Sequence, residues 1–226
     1  MPSHYHGGGP SGKTKPDTRR ENHRKKALGS ACARTPGGSL VKQRVFGYSG
    51  GHTSTTENAD MTQAFVCIGS NMGDAEQHLR KACSAIASIP GVRLAGASSL
   101  YQTEPQGRTD QPWFLNQVLR LDCEEGVTAL SLLDAMLAKE TELGRVRDAN
   151  DRFGPRVIDM DLLLFGQETH GEDPHLILPH PRMHERAFVL VPLAELAPGL
   201  TVPGRGTVEN LLKKLDYRLE GSAIFQ

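Results

Sequence analysis

No stretch of this 226-residue chain approaches the roughly 18 consecutive apolar residues that a membrane-spanning helix needs. The first residues lack the apolar core of a secretory signal, so export by that route is not expected. Cysteine is scarce. Cys32, Cys67, Cys83 and Cys123 are widely spaced and form no CxxC pair, which argues against a disulfide framework or a thiolate metal site. Three of them fall in apolar contexts that suit reduced core thiols, so a reducing, cytoplasmic setting is expected. The letters GxxxxGK[ST] occur once, as GGGPSGKT (7–14), but in a glycine-rich stretch with no apolar strand before it, so they do not read as a phosphate loop, and the HRD/DFG set of protein kinases is missing. If a nucleoside triphosphate binds here, another device holds it. No paired sheet aromatics of the RNA-binding type and no internal repeat are found.

The formal net charge of zero conceals an asymmetry. Residues 1–60 carry 10 Lys and Arg against 4 Asp and Glu, a net of +6, so residues 61–226 carry −6. The first 60 residues also hold ten glycines and clusters such as HYHGGGPSGK and RRENHRKK, without apolar periodicity. This composition predicts a disordered basic extension. HRKK could serve as a nucleic-acid or targeting patch, but a solvated tail, or translated sequence upstream of a start at Met61, is the plainer reading. The domain itself is expected over 61–226.

From Met61 the texture changes. AFVCIG (64–69) reads as a short buried strand. Gly69, Ser70, Asn71 and Gly73 make a turn, and Asp74 with Gln77 resembles a capping box opening a helix to about Ile89. VRLAGASSLYQT and FLNQVLRLDCE read as strands. A second helix is expected over about 127–143, closed by Gly144. Its apolar row runs Leu132, Met136, Glu140, Leu143, so Glu140 takes an aliphatic's place near the helix C-terminus, where negative charge is disfavoured. Either it snorkels at the stripe edge or it meets a ligand. A polar Arg-rich loop (144–156), a strand (157–165) and a last helix follow. This β-α-β-β-α-β order predicts an α+β, ferredoxin-like two-layer sandwich, an antiparallel sheet with helices packed on it.

Within VIDMDLLLF, alternation places Ile158, Met160, Leu162 and Leu164 on one face, and Asp159 and Asp161 on the other, about 6–7 Å apart. Such a pair can flank one Mg²⁺ or bridge two, with phosphate oxygens and water completing the shell. An isolated DxD is weak evidence, since glycosyltransferases, polymerases and many solvated strands carry it. Its surroundings are cationic, however: Arg145, Arg147, Arg152 and Arg156 precede it, and His180 and Arg186 follow. Arginine forks beside a carboxylate pair are what phosphoryl transfer requires, because that chemistry rests on positioning and charge neutralisation. His170, His175, His180 and His184 fit no familiar zinc spacing.

RFGPRVIDMDLLLFG, together with IGSNMGD, YQTEP, DQPWFLNQV, GRVR and LPHPRMHERAFVLVPLAELAP, resembles the 6-hydroxymethyl-7,8-dihydropterin pyrophosphokinase family over nearly all of residues 62–203. The resemblance implies transfer of pyrophosphate from ATP to the pterin hydroxymethyl group, giving AMP, with two Mg²⁺ ions and a loop that closes over the site. It implies Asp159 and Asp161 as metal ligands, and Asp161 as the nearest candidate proton acceptor. Phe114 and Phe188 would sandwich the pterin, with Asn116 and Thr103 at its edge. Arg145 and Arg156 would reach the transferring phosphates, while Glu140, His180 and Arg186 would contact ATP.

Several positions depart from the family pattern: Phe153 stands where Trp is frequent, Leu137 replaces a Gln, His175 an Arg and Pro181 an aromatic. Met160 separates the aspartates in place of a branched aliphatic. The expected partners are the two small-molecule substrates, acting on a monomer, with neither membrane nor nucleic acid. The competing readings are another Mg²⁺-dependent nucleotidyl or glycosyl transferase, and a nucleic-acid-binding module, which the acidic body disfavours.

Overall fold

A computed structural model describes residues 61–146 and 154–226. The expectations for residues 1–60, and for Arg147, Arg152 and Phe153, lie outside the described residues.

The frame is a mixed sheet. β1 (Thr62–Ser70) lies between β4 (Phe114–Cys123) and β5 (Asp159–Phe165), antiparallel to both. Its run Ala64 to Ile68 is buried throughout, as a central strand covered on both faces should be. Ala64, Val66 and Ile68 face α1 (Ala75–Ala87) and α2 (Ala129–Glu142), whose inner sides carry Leu79, Ala82 and Ile86, and Leu132 and Met136. Phe65 and Cys67 face the other way, into a second core with α3 (Ala187–Leu196) and the short α4 (Val208–Leu212). Each fully buried aliphatic in these cores is worth on the order of 1.5–3 kcal/mol of transfer free energy.

The expected α+β sandwich of a sheet with helices packed on it is what forms, with two additions. Helices cover part of the second face as well, and the sheet is not purely antiparallel. The stretch read as a single strand from Val92 to Thr103 is two: β2 (Val92–Ala97) and β3 (Tyr101–Thr103), both on β4. The break falls at Ser98, whose Oγ accepts from Val118 N–H, and at Ser99, whose N–H and hydroxyl are held by Glu195 of α3. A hairpin of β8 (Arg218–Glu220) and β9 (Ala223–Phe225) then adds to the edge, with β9 parallel to β3. Two further short strands, β6 (Thr201–Val202) and β7 (Gly206–Thr207), pair with one another before α4.

Local chemistry accounts for the helix ends. Asp74 accepts from Gln77 N–H at 2.9 Å, and Thr128 with Ser131 forms a reciprocal capping box on α2. Gly144, at φ 93°, supplies the left-handed residue that turns the chain off α2 towards Arg145. α3 is apolar nearly all round because it is sandwiched between the sheet and α4. No described helix is long and apolar enough to cross a membrane.

Candidate active site

α3 and α4 leave one end of the second sheet face uncovered, and a cleft of about 730 Å³ opens there. Its floor is the sheet itself. β5 contributes Asp159 and Asp161, β1 contributes Cys67 and Gly69, β4 contributes Phe114 and Asn116, and β3 contributes Thr103. Register brings them into rows: Gly69 pairs with Asp159 on one side and Asn116 on the other, and Cys67 pairs with Asp161. Asn116 is buried and donates through Nδ2 to Thr103 Oγ1 at 2.7 Å. It lies so flat over Gly69 that a Cβ there would sit 2.4 Å from its Oδ1. Glycine at 69 is therefore a packing requirement of the amide.

The two aspartates do face the side opposite Ile158, Met160 and Leu162, as strand alternation predicts. Leu164, expected on that aliphatic face, packs instead in the second core, because the ladder with β1 shifts register between Phe65 and Val66. The partners of the aspartates are the arginines. Asp159 is gripped by Arg145 Nη1 through Oδ1 and by Arg156 Nη1 through Oδ2, the latter at 2.6 Å. Asp161 is held more loosely, with Arg186 Nη1 at 3.4 Å and His180 Nε2 at 4.0 Å from its Oδ2. Arg186 Nε is buried without a hydrogen-bond partner among the described residues. The arginines also lie over the two aromatic rings, Arg156 5.6 Å from the Phe114 centroid and Arg186 5.3 Å from that of Phe188.

Glu140 does not snorkel. It is 1% exposed, and its Oε1 accepts from Arg145 Nη1 and from Met160 N–H, both at 2.6 Å. The carboxylate in the apolar row of α2 thus ties that helix to the aspartate strand and holds Arg145 from behind. It lines the cleft beside Leu133, Leu137 and Ile177, an apolar slot between α2 and the 174–178 segment.

Burial and charge set the protonation states. Burial pushes the Asp159 carboxyl up, but Arg156 and Arg145 outweigh it and hold the group below the ordinary carboxylate range. Asp161 goes the other way: burial first, then the Asp159 charge, raise it to about 7 against the pull of Arg186. Burial and Arg186 lower His180 to about 4, so its ring is neutral near pH 7. His180 Nδ1 accepts from Arg182 N–H at 3.3 Å, which leaves the ring proton on Nε2, facing Asp161. Burial and the two aspartates raise the Cys67 thiol, keeping it protonated.

The donor set fits magnesium. Among the described residues no group of three or more His, Cys, Asp or Glu is arranged to hold a metal by itself. Two hard carboxylates sharing one face suit an ion that keeps water and phosphate oxygens in its shell, and would not make an all-protein cage.

All eleven predicted site residues line this one cleft: Thr103, Phe114, Asn116, Glu140, Arg145, Arg156, Asp159, Asp161, His180, Arg186 and Phe188. Sequence reasoning missed the role of Asn71. Its side chain donates to Gln111 Oε1 and Pro112 O and accepts from Arg156 N–H, so it links the approach to Phe114 with the base of the arginine loop. Its place in the tight turn after β1 was the only signal. Gly69 and Cys67 were read as turn and core; only register puts them on the cleft floor.

The family model described as 7,8-dihydro-6-hydroxymethylpterin-pyrophosphokinase (HPPK) matches residues 65–198. A 2-amino-4-hydroxy-6-hydroxymethyldihydropteridine pyrophosphokinase from Methylorubrum extorquens is 47% identical over 156 residues, covering 69% of this chain and 95% of that protein. One of the same name from Pseudomonas aeruginosa is 43% identical over 150 residues, covering 66% and 90%. Among solved structures, a Plasmodium falciparum HPPK-DHPS chain superposes with a TM-score of 0.51 at 14% identity, over 70% of this chain. That likeness concerns the fold alone, and the present chain spans 46% of the Plasmodium chain.

Two outcomes are expected from this geometry. Gly69→Ala should displace the Asn116 amide and lower the melting temperature at least about 2 °C, as read by circular dichroism; an unchanged melting temperature would contradict the packing requirement. The second concerns Asp161, whose folded-state pKa lies above its unfolded value. Its protonated form stabilises the fold fully below about pH 4, and that contribution is lost as pH rises through about 7. In chelator-containing buffer without nucleotide, Asp161→Asn should therefore melt at least about 2 °C above the parent at pH 8. The gap should narrow towards pH 5; a variant less stable at pH 8 would contradict it.

Proposed function

The chain belongs to the 7,8-dihydro-6-hydroxymethylpterin-pyrophosphokinase family and transfers pyrophosphate from ATP to the hydroxymethyl group of 6-hydroxymethyl-7,8-dihydropterin in folate biosynthesis; we propose that the cleft over the open sheet end performs this transfer, with the following division of labour. What carries the assignment is one observation: a carboxylate pair on an open sheet face, within reach of three arginines and in one cleft with the Asn116 amide and the Phe114 and Phe188 rings.

The substrate hydroxymethyl oxygen bonds to the β-phosphorus of ATP, the bond from that phosphorus to the α,β-bridging oxygen breaks, and AMP leaves. Phe114 and Phe188 hold the pterin between them, and Asn116 and Thr103 hydrogen-bond its edge. Asp159 and Asp161 would hold two Mg²⁺ ions, which would supply charge neutralisation and orientation to the triphosphate. Asp161 Oδ2 accepts the hydroxyl proton. It is the carboxylate that the protein holds least tightly, whereas Asp159 is committed to two guanidiniums.

Arg145 and Arg156 bind the transferring phosphates, for which their forked donors are suited, exchanging Asp159 for phosphate oxygens. Arg186, with its buried unpaired Nε, and neutral His180 bind the ATP phosphates from the opposite wall. Glu140 receives a ribose hydroxyl while backing Arg145. The apolar slot of Leu133, Leu137 and Ile177 takes the base. Residues 61–226 form the catalytic unit, acting as a monomer in the cytoplasm without nucleic acid. Supporting this are the acidic charge of 61–226, the free thiols of Cys67, Cys83 and Cys123, and exposed large apolar side chains that are spread over separate segments.

The purified protein should release AMP from Mg²⁺–ATP only when the hydroxymethyl pterin is present, and Asp161→Ala should lower kcat at least about 100-fold. AMP release independent of the pterin, or near-parental turnover by Asp161→Ala, would refute the assignment.

A further inference from the structure

Arg186 sits at the entry of α3, where helices expose unsatisfied backbone N–H groups. No side chain of the helix's own first turn caps it. The cap comes from far away in sequence. Gln226, just beyond β9, accepts through Oε1 from Ala187 N–H at 2.7 Å and donates through Nε2 to Glu185 O at 2.6 Å. One side-chain amide therefore clamps the backbone on both sides of Arg186. The same Oε1 accepts from Gln106 Nε2 at 3.0 Å, and Gln106 lines the cleft on the segment between Thr103 and Phe114.

The clamp stands on a firm base. β9 is parallel to β3 through Thr103↔Ile224, and buried Ile224 packs with Ala187 and Val191 of α3. Phe225 is wedged between Trp113, edge-on with centroids 5.2 Å apart, and Arg218, 4.3 Å from its ring centroid. The hairpin thus touches both walls of the cleft and sends one amide between them. Phe188 follows two residues after Arg186 on the same first turn, so the entry angle of α3 aims both side chains.

We propose that Gln226 is a positioning residue for this reaction: its amide sets the entry of α3, placing Arg186 for the nucleotide and Phe188 for the pterin, and ties that wall to the Gln106 segment. The proposal rests on the roles given to Arg186 and Phe188 above. Because the clamp works through backbone groups, it predicts coupling to the arginine that a general loss of stability would not produce.

The test is a double-mutant cycle on the full chain, with kcat and both KM values measured alongside melting temperature. Gln226→Ala should lower kcat/KM about tenfold or more, since small misplacements of a phosphate-binding group are costly. In an Arg186→Ala background the same change should lower kcat/KM for ATP by a clearly smaller factor, while the rise in the pterin KM that comes through Phe188 persists. Gln226→Glu, which keeps the acceptor for Ala187 but sets a carboxylate against Glu185 O, should fall between parent and Gln226→Ala. Parental kcat/KM from Gln226→Ala, or equal fold-losses in kcat/KM for ATP in both backgrounds, would overturn the proposal. Parental activity from Arg186→Ala alone would instead overturn the arginine assignment beneath it.

Discussion

Two carboxylates two residues apart on a buried strand cannot both stay ionised unless cations compensate them. The structure answers this for Asp159 with Arg145 and Arg156 and leaves Asp161 only loosely held by Arg186. The result is an uneven pair, one member held ionised and the other raised to about 7. Most of the site follows from that constraint. The arginines must converge on β5 from the loop before it and from the start of α3, and Glu140 must leave the apolar logic of α2 to hold Arg145 in place. In the proposed reading, a triphosphate with divalent cations supplies what the pair lacks and what the arginines are built to grip.

The fold serves this arrangement by leaving a sheet face half covered. α1 and α2 cover one face of the central strands β5, β1 and β4, while α3 and α4 cover the other only as far as the α3 entry. Rows of side chains from β5, β1, β4 and β3 emerge there side by side, and their spacing is the ladder's own. A glycine at 69 lets the Asn116 amide lie down beside the aspartates. Thr103, Phe114, Asn116 and the two aspartates thus share one hydrogen-bonded floor. The walls are less autonomous. Asn71 links the Gln111–Pro112 segment to Arg156, and Gln226 links the Gln106 segment to the α3 entry.

Much of this was legible in the residues because it rests on short-range periodicity. Alternation along β5 placed Asp159 and Asp161 opposite Met160 and Leu162, and the interrupted row of α2 singled out Glu140. What escaped was set by long-range pairing. Nothing local marks Ser98 and Ser99 as a break, since it is created by Val118 and by Glu195 from α3. Nor does periodicity reveal that Glu140 serves a strand 20 residues away, that β9 joins β3 in parallel, or that Gln226 caps a distant helix. A three-residue strand carries too little pattern to be read, and a tertiary cap has no sequence signature.

The central claim is that Asp159 and Asp161 form a shelf for divalent cations delivered with ATP, and that phosphate oxygens then displace Asp159 from its arginines. It is tested most directly by a crystal structure with Mn²⁺, a non-hydrolysable ATP analogue and the hydroxymethyl pterin, phased for anomalous signal. The account predicts two manganese peaks in contact with the Asp159 and Asp161 carboxylates, with Arg145 and Arg156 turned from Asp159 to phosphate oxygens. Manganese bound away from both aspartates, or the two arginines still paired with Asp159 beside a fully bound nucleotide, would contradict it.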